Sequence, residues 1–272
     1  VNTALGETWE EEGESISYHI LMDRREQFPD AVPEPVRVIT MGCDVQQDRL
    51  EAEIVGWGEG EESWSLDYLI LPGDPSGDDV WLDLAAYING RYKTEDGRDL
   101  AIGMTAIDSG YLPKRVYNFV ETMGAHVVPT KGMAGTGRQI VETSLARLKR
   151  LRKRRTTGVK PELVGVDEGK IVLYRRLMKA NPGPGYAHFP MERDEEYFHQ
   201  LTAEKLVTRF RKGRPILEWV QERPRNEALD CRVLAHAALL LHGLDSLKET
   251  PQPSLVIPQA RAKRQQPRRV IR

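Results

Sequence analysis

Three strand-like segments joined by very short turns are the feature that most constrains the fold of this chain. Apolar and β-branched residues run from Val36 to Asp44, from Leu50 to Trp57 and from Ser63 to Leu71, with only a few polar residues between them. Parallel neighbours need a long crossover connection, so strands joined this tightly pair antiparallel. We therefore predict an antiparallel meander whose first strand ends on Asp44.

The following stretch adds parallel strands to this meander. Helical spacing of apolar residues predicts a helix over Asp78 to Tyr92, followed by a strand from Leu100 to Asp108. A helix from Pro113 to Met123 and a strand from His126 to Thr130 come next. A strand, a helix and a strand of this length form a βαβ unit, in which the two strands are parallel. The fold class is therefore α/β, with a mixed central sheet flanked by helices.

The second half of the chain carries further elements in alternation. In chain order we predict a strand at Glu162 to Val166, a helix at Glu168 to Lys179, an extended piece at Tyr186 to Pro190, a helix at about Glu195 to Val207, a strand at Pro215 to Val220 and a helix at Asn226 to Leu241. The last helix is the most clearly apolar segment of the chain.

Charge divides the chain into three regions, although the net charge is only -2. Residues 1–35 carry nine acidic and two basic side chains and end in a Pro-rich stretch, which predicts a linker or arm. Residues 36–245 form the domain, and residues 246–272 form a basic tail that we expect to be disordered when unbound. No apolar run is long enough to cross a membrane, so we expect no membrane partner. Cys43 and Cys231 lie in apolar runs and are expected to be small buried hydrophobes.

Three aspartates share one kind of position. Because side chains alternate along a strand, Asp44 and Asp108 each end an inward-facing row at the carboxyl end of a strand, where α/β sheets place their sites. Asp230 lies within about 60° of the core stripe of the last helix. A single such aspartate is more often a helix or turn cap. Three together repel one another unless a cation offsets the repulsion.

Carboxylate oxygens select hard cations such as Mg2+ or Mn2+. Two such ions activate water and stabilise the leaving oxygen in phosphodiester cleavage. Asp44, Asp108 and Asp230 therefore predict a catalytic metal site with two ions.

The sequence also resembles a known family through a series of short motifs. They are Leu5-Gly6-Glu7-Thr8-Trp9, Gly42-Cys43-Asp44 with Asp48-Arg49, Gly56-Trp57-Gly58, Glu61-Glu62-Ser63-Trp64, Asp108-Ser109-Gly110, Pro129-Thr130-Lys131-Gly132, His188-Phe189-Pro190, Gln200-Leu201-Thr202-Ala203-Glu204 and Arg225-Asn226-Glu227-Ala228-Leu229-Asp230-Cys231. Collectively these motifs resemble the nuclease domain of the large terminase subunit of tailed phages, in its lambda-like branch.

This resemblance implies an RNase H-like fold and a metal-dependent endonuclease that cuts concatemeric double-stranded phage DNA in the host cytoplasm. It also implies a preceding ATPase domain, to which residues 1–35 would lead, and a terminase small subunit and a portal or procapsid as partners. Carried over by position, the family's metal-binding aspartates fall on Asp44, Asp108 and Asp230.

Auxiliary residues of the site are less clearly indicated. Glu227 lies one turn before Asp230 and could reach the metals or a lysine, although a first-turn glutamate stabilised by the helix dipole explains it equally well. Lys131 could touch a scissile phosphate or be a solvated loop lysine. The loop from Gly132 to Gln139 lacks the lysine and hydroxyl of a phosphate-binding loop, which disfavours an ATPase. His188 and His199 are expected to pack or hydrogen-bond rather than bind zinc.

A basic run offers a contact for DNA. It consists of Arg147, Lys149, Arg150, Arg152, Lys153, Arg154 and Arg155. Such a run can follow a phosphate backbone without reading sequence, or it can be a solvated loop or a subunit contact. The alternative function is therefore a non-catalytic module that binds DNA or docks to the portal through this run and the tail.

Overall fold

The computed structural model describes residues 16–142, 158–211 and 214–248. The strands are β1 Val38–Val45, β2 Arg49–Trp57, β3 Ser63–Pro72, β4 Arg91–Lys93, β5 Asp99–Asp108, β6 Val127–Met133, β7 Glu162–Gly165, β8 Ala187–His188, β9 Glu204–Arg211 and β10 Arg214–Gln221. The helices are α1 Tyr18–Asp23, α2 Asp79–Ile88, α3 Pro113–Met123, α4 Val166–Leu177, α5 Glu195–Leu201 and α6 Glu227–His242, with 3-10 turns at Glu59–Glu61 and Leu244–Leu247.

The central sheet has eight strands, seven of them in the order β7-β6-β5-β1-β2-β3-β8, with β4 paired to β5. β1, β2 and β3 form the predicted antiparallel meander. β5 pairs parallel to β1, and β6 and β7 continue the parallel half. The mixed α/β architecture is confirmed, and it is consistent with an RNase H-like nuclease fold.

Helices cover both faces of this sheet. α2 and α3 pack on one face, where Trp81 and Phe119 join the largest apolar cluster. α6 crosses β1, β5 and β2 on the other face, and α4 and α5 pack beside it. A glycine makes the close approach of α6 possible, because a Cβ added at Gly42 would stand 2.0 Å from the Cys231 carbonyl oxygen. The Thr40 hydroxyl also donates to the Ala235 carbonyl oxygen at 2.8 Å.

Two predicted helices are shorter than their apolar spacing indicates. The helix predicted over Asp78 to Tyr92 ends at Ile88, because Asn89-Gly90 stops it and the next residues form β4. The helix predicted over Glu195 to Val207 ends at Leu201, and β9 begins at Glu204. β9 pairs along its whole length with β10 in a two-stranded hairpin, and this long-range pairing overrides the local helical pattern.

The described part of the predicted arm lies against the domain. α1 packs on α5 and buries Leu21 completely. The Arg24 guanidinium donates to the Leu177 carbonyl oxygen at 2.6 Å and to the Ala187 carbonyl oxygen at 2.8 Å. Val32 is buried and bridges to Thr94 beside β4. Residues 16–35 thus contribute to the core.

The basic run from Arg147 to Arg155 lies outside the described residues, as does the tail beyond residue 248. None of the helices within the described ranges has the length and apolar character needed to cross a bilayer.

Candidate metal centre

The ends of β1 and β5 bring two of the predicted aspartates side by side. Cys43 pairs with Ile107 in the parallel register, so Asp44 and Asp108 follow on adjacent strands, about 5 Å apart along the sheet. Their rows face α6, since Met104 and Ala106 pack on Leu234 and Ala238 of that helix. Both aspartates therefore end on the face that α6 covers, as the alternation predicted.

Asp44 is held by the turn that follows it. Its Oδ1 accepts from the Val45 amide at 3.0 Å and its Oδ2 accepts from the Gln46 side-chain amide. Burial raises the pKa of Asp44 to about 6, and the charges of Asp108 and Glu227 act in the same direction, while the two hydrogen bonds oppose them. Asp44 is only 8% exposed, so its carboxylate stands in a poorly solvated position.

Asp108 closes β5 and turns into the loop before α3. Its Oδ2 accepts from the Gly110 amide at 2.9 Å. Burial raises its pKa, and the amides of Gly110 and Ser109 oppose this rise. The hydrogen bond is of the kind expected for a turn-capping aspartate, and the register of β1 and β5 places this aspartate beside Asp44.

Asp230 approaches the same point from the first turn of α6. Asn226 donates to its Oδ2 at 3.1 Å, and the Lys170 ammonium stands 3.8 Å from its Oδ1. Burial raises the pKa of Asp230 to about 7; Lys170 lowers it, and the charges of Asp44, Glu204 and Asp108 raise it. The pKa of Asp230 thus responds to both other aspartates, so the structure brings all three within electrostatic reach of one another.

This donor set fits a hard divalent cation in chemistry. It offers carboxylate oxygens from three elements, and Lys170 makes the one ion pair with these aspartates among the described residues. Within the described ranges, no three His, Cys, Asp or Glu side chains are close enough to enclose one ion in their present rotamers. Rotation about two side-chain bonds is enough to move an aspartate oxygen by a few ångströms.

Glu227 is buried beside the aspartates, and its carboxylate forms ion pairs with two arginines and not with a lysine. Its Oε1 accepts from Arg49 at 2.7 Å and its Oε2 accepts from Arg225 at 3.3 Å. Lys131 is exposed at the end of β6. It shares the strand face of Val127, which packs on the α3 side, and not that of Val128, which packs on the α6 side.

Four charged residues near the site were not singled out from the sequence. They are Arg49, Glu51, Lys170 and Glu204. Glu51 is fully buried and accepts from Arg49 at 2.5 Å and from Arg225 at 2.6 Å. Glu51 and Glu53 interrupt the apolar residues of β2, which was the available signal. Lys170 donates to Glu204 at 2.6 Å, and that pairing had no local signal in the sequence.

The remaining candidates have structural roles. The His188 ring stacks on Trp64 and contacts Glu26 and Glu62, as expected for a packed and hydrogen-bonded histidine. Cys43 and Cys231 are free and fully buried, which confirms that they act as small hydrophobes. Asp167 lies inside the first turn of α4 and accepts from the Gly135 amide at 2.8 Å.

Comparison with known proteins supports the nuclease reading. The family model described as "Terminase large subunit gpA, endonuclease domain" matches residues 1–250. A terminase large subunit of Enterobacteria phage P21 is 38% identical over an alignment of 253 positions that covers 88% of this chain. A terminase large subunit of Escherichia phage lambda is 36% identical over an alignment of 249 positions that also covers 88% of this chain.

The chain spans 38% of the length of each of these two relatives. No solved structure gives a significant match. The family model covers nearly all of the chain, and both relatives carry the name of the protein in which that domain occurs. This chain therefore belongs to the family of terminase large subunit gpA endonuclease domains.

Proposed function

We propose that this chain is a metal-dependent endonuclease that hydrolyses phosphodiester bonds of concatemeric double-stranded DNA during phage genome packaging. Two Mg2+ or Mn2+ ions would be held by Asp44, Asp108 and Asp230. The observation that carries the proposal is the approach of these three carboxylates to one another, at the carboxyl ends of β1 and β5 and in the first turn of α6. Lys170 is their one ion-pair partner among the described residues.

The raised pKa values of these aspartates show that their ionised forms are electrostatically unfavourable without a cation nearby. Burial disfavours the ionised form of each carboxylate, and repulsion from neighbouring carboxylates adds to this for Asp44 and Asp230. A divalent cation would offset both penalties at once, so binding of one is electrostatically favourable for the cluster. When bound, such ions supply activation of the attacking water and stabilisation of the leaving oxygen.

The residues around the aspartates orient them for this task. The Val45 amide and Gln46 hold Asp44, and the Gly110 amide holds Asp108. Donors fixed to the backbone cost no reorganisation when the substrate binds, which is how preorganised sites gain rate. Asp44 and Asp108 would remain in place while the DNA strand approaches the carboxyl ends of β1 and β5.

The larger assembly is proposed on the basis of the relatives. Because they are named terminase large subunits, we propose that this domain works beside an ATPase domain, with a terminase small subunit and a portal or procapsid as partners, in the host cytoplasm. The basic run from Arg147 to Arg155 and the basic tail are proposed DNA or portal contacts. Auxiliary roles for Lys131 and Glu227 stay predictions, since Lys131 lies on the α3 side of β6 and Glu227 pairs with two arginines.

Cleavage of supercoiled plasmid tests the proposal. The chain is incubated with plasmid in Mn2+, in Mg2+ and in EDTA, and nicked and linear products are separated on a gel. We expect metal-dependent relaxation by the wild type and a loss of at least about 10²-fold in Asp44→Asn, the scale of losing one contact to transition-state charge.

Asp48→Asn is the matched control. It makes the same chemical change four residues away, at a side chain that is 76% exposed and pairs only with Arg49 among the described residues. It should cut like the wild type. Retardation of the plasmid without cutting in either metal would support the non-catalytic DNA-binding module instead, and wild-type cutting by Asp44→Asn would exclude the assigned site.

A further inference from the structure

Glu204 is a buried carboxylate at the first residue of β9, and it holds the two side chains that contact Asp230. Its Oε1 accepts from the Lys170 ammonium at 2.6 Å and from the Asn226 side-chain amide at 2.9 Å. Lys170 in turn faces Asp230 Oδ1, and Asn226 donates to Asp230 Oδ2. One oxygen of Asp230 therefore accepts a hydrogen bond and the other stands within ion-pair distance of an ammonium, and the two partners share Glu204 as their acceptor.

We propose that Glu204, Lys170 and Asn226 form a positioning cradle that sets the orientation of the Asp230 carboxylate for cation binding. The inference rests on the proposed function, because it concerns how one proposed metal ligand is held. Glu204 and Lys170 are positioning residues and not catalytic ones, since they are 7% and 8% exposed and act through Asp230.

The cradle is needed because Asp230 lacks the backbone support of the other two aspartates. Asp44 and Asp108 each accept from an amide of the turn that follows them. Asp230 lies in the first turn of α6, where its own amide donates to the Asn226 carbonyl oxygen at 3.1 Å and its carboxylate accepts from the Asn226 side chain. Its side chain is therefore oriented by other side chains, and Lys170 and Asn226 occupy that role.

Three elements meet in the cradle, which ties its geometry to the fold. Lys170 comes from α4, Asn226 immediately precedes α6, and Glu204 begins the β9–β10 hairpin. The Tyr174 hydroxyl donates to the Glu204 carbonyl oxygen and so fixes that residue to α4 as well. Partners of this kind, one step removed from a metal, contribute about 10- to 100-fold to metal affinity.

Calorimetric titration of Mn2+ into the 272-residue chain tests the cradle without relying on cleavage. Glu204→Gln keeps the shape but removes the charge that holds Lys170, and we expect Mn2+ affinity to fall about 10- to 100-fold. Glu222→Gln is the matched control, because Glu222 lies at the other base of the hairpin and pairs with Lys205 at 2.7 Å. The control removes an identical charge nearby and should bind Mn2+ like the wild type.

The double variant Lys170→Met/Glu204→Met separates positioning from stability. It removes one positive and one negative charge, so the net charge near Asp230 is unchanged, and replacing a buried ion pair by apolar side chains is often neutral for stability. We expect its thermal unfolding midpoint in EDTA to remain close to that of the wild type, while Mn2+ affinity stays at least about tenfold weaker.

Wild-type Mn2+ affinity in the double variant would overturn the cradle and leave the proposed function standing. Wild-type affinity in Glu204→Gln would overturn it as well. Absence of Mn2+ binding by the wild-type chain would instead overturn the metal-dependent function itself, and the cradle with it.

Discussion

Two sets of carboxylates lie where α6 packs against the sheet, and they differ in how their charge is balanced. The glutamate set, Glu51, Glu53 and Glu227, is matched by arginines at 2.5 to 2.7 Å. The aspartate set, Asp44, Asp108 and Asp230, has Lys170 at 3.8 Å as its one ion-pair partner among the described residues. Asp44 and Glu51 are direct partners across β1 and β2, so the two sets are immediate neighbours.

This difference separates the carboxylates that are paired within the fold from those for which we propose a metal ion. A buried carboxylate with an arginine partner needs no further cation, because the guanidinium supplies both the opposite charge and the hydrogen-bond donors. A buried carboxylate without one keeps a raised pKa and gains from any cation that reaches it. The charges of the glutamates are thus balanced within the fold, and the aspartates are the carboxylates for which we propose a cation.

Breaking the glutamate set should have the largest effect on stability. Arg232 is 1% exposed and donates to Glu53 at 2.7 Å and to Ser63 at 2.8 Å. Arg232→Met leaves the Glu53 carboxylate buried without its cation, so we expect the free energy of unfolding to fall by about 3–5 kcal/mol. Urea denaturation measures this, with Arg91→Met, at an exposed arginine, as control. A loss below about 1 kcal/mol would contradict the structural role of the pair.

Removing a charge from the aspartate set should raise the free energy of unfolding instead of lowering it. The pKa of Asp44 is about 6 in the folded chain, against about 3.9 in an unfolded one. Ionisation of Asp44 therefore destabilises the fold as pH rises from about 4 through 6, and this cost is complete at pH 8. In EDTA at pH 8, the free energy of unfolding of Asp44→Asn should exceed that of the wild type by about 1–3 kcal/mol.

The same comparison at pH 5 provides the check on its cause. The advantage of Asp44→Asn should shrink there, because much of the wild-type carboxyl is already protonated in the folded state. Urea denaturation at both values of pH measures the effect. A stability gain that is equal at pH 5 and pH 8 would exclude the carboxylate charge as its source.

The aspartate set was more accessible to sequence reasoning than the glutamate set. Asp44 and Asp108 end apolar strands, and alternation along a strand fixes their face whatever the rest of the fold does. The Arg49 to Glu227 pair joins residues 178 positions apart, so it exists only once β2 and α6 have met. The contacts of Glu204 could not be predicted for another reason. Its segment was predicted as helix, and it becomes the start of a strand through pairing with β10.

Acidification should weaken cation binding by the aspartate set. The pKa values of Asp44 and Asp230 are about 6 and about 7, and metal binds the deprotonated carboxylates. Mn2+ affinity should therefore change little from pH 8 to pH 7.5 and then fall by up to about tenfold per pH unit for each proton displaced between pH 7 and pH 6. Calorimetric titration across this range measures the fall. A constant affinity would show that neither carboxylate binds the ion.

The smallest effect on stability is expected where two arginines pair with the same two glutamates. Arg225 is 40% exposed and contacts Glu51 and Glu227, but Arg49 contacts both as well and is less exposed. Arg225→Gln should therefore lower the free energy of unfolding by only about 0–1 kcal/mol, since Arg49 still neutralises the pair and solvent screens the exposed guanidinium. Urea denaturation compares it with Arg232→Met under identical conditions. Similar losses in the two variants would mean that charge balance, and not burial of the pair, decides the stability of this region. In that case the buried aspartates would be expected to destabilise the metal-free fold more than Asp44→Asn alone can reveal.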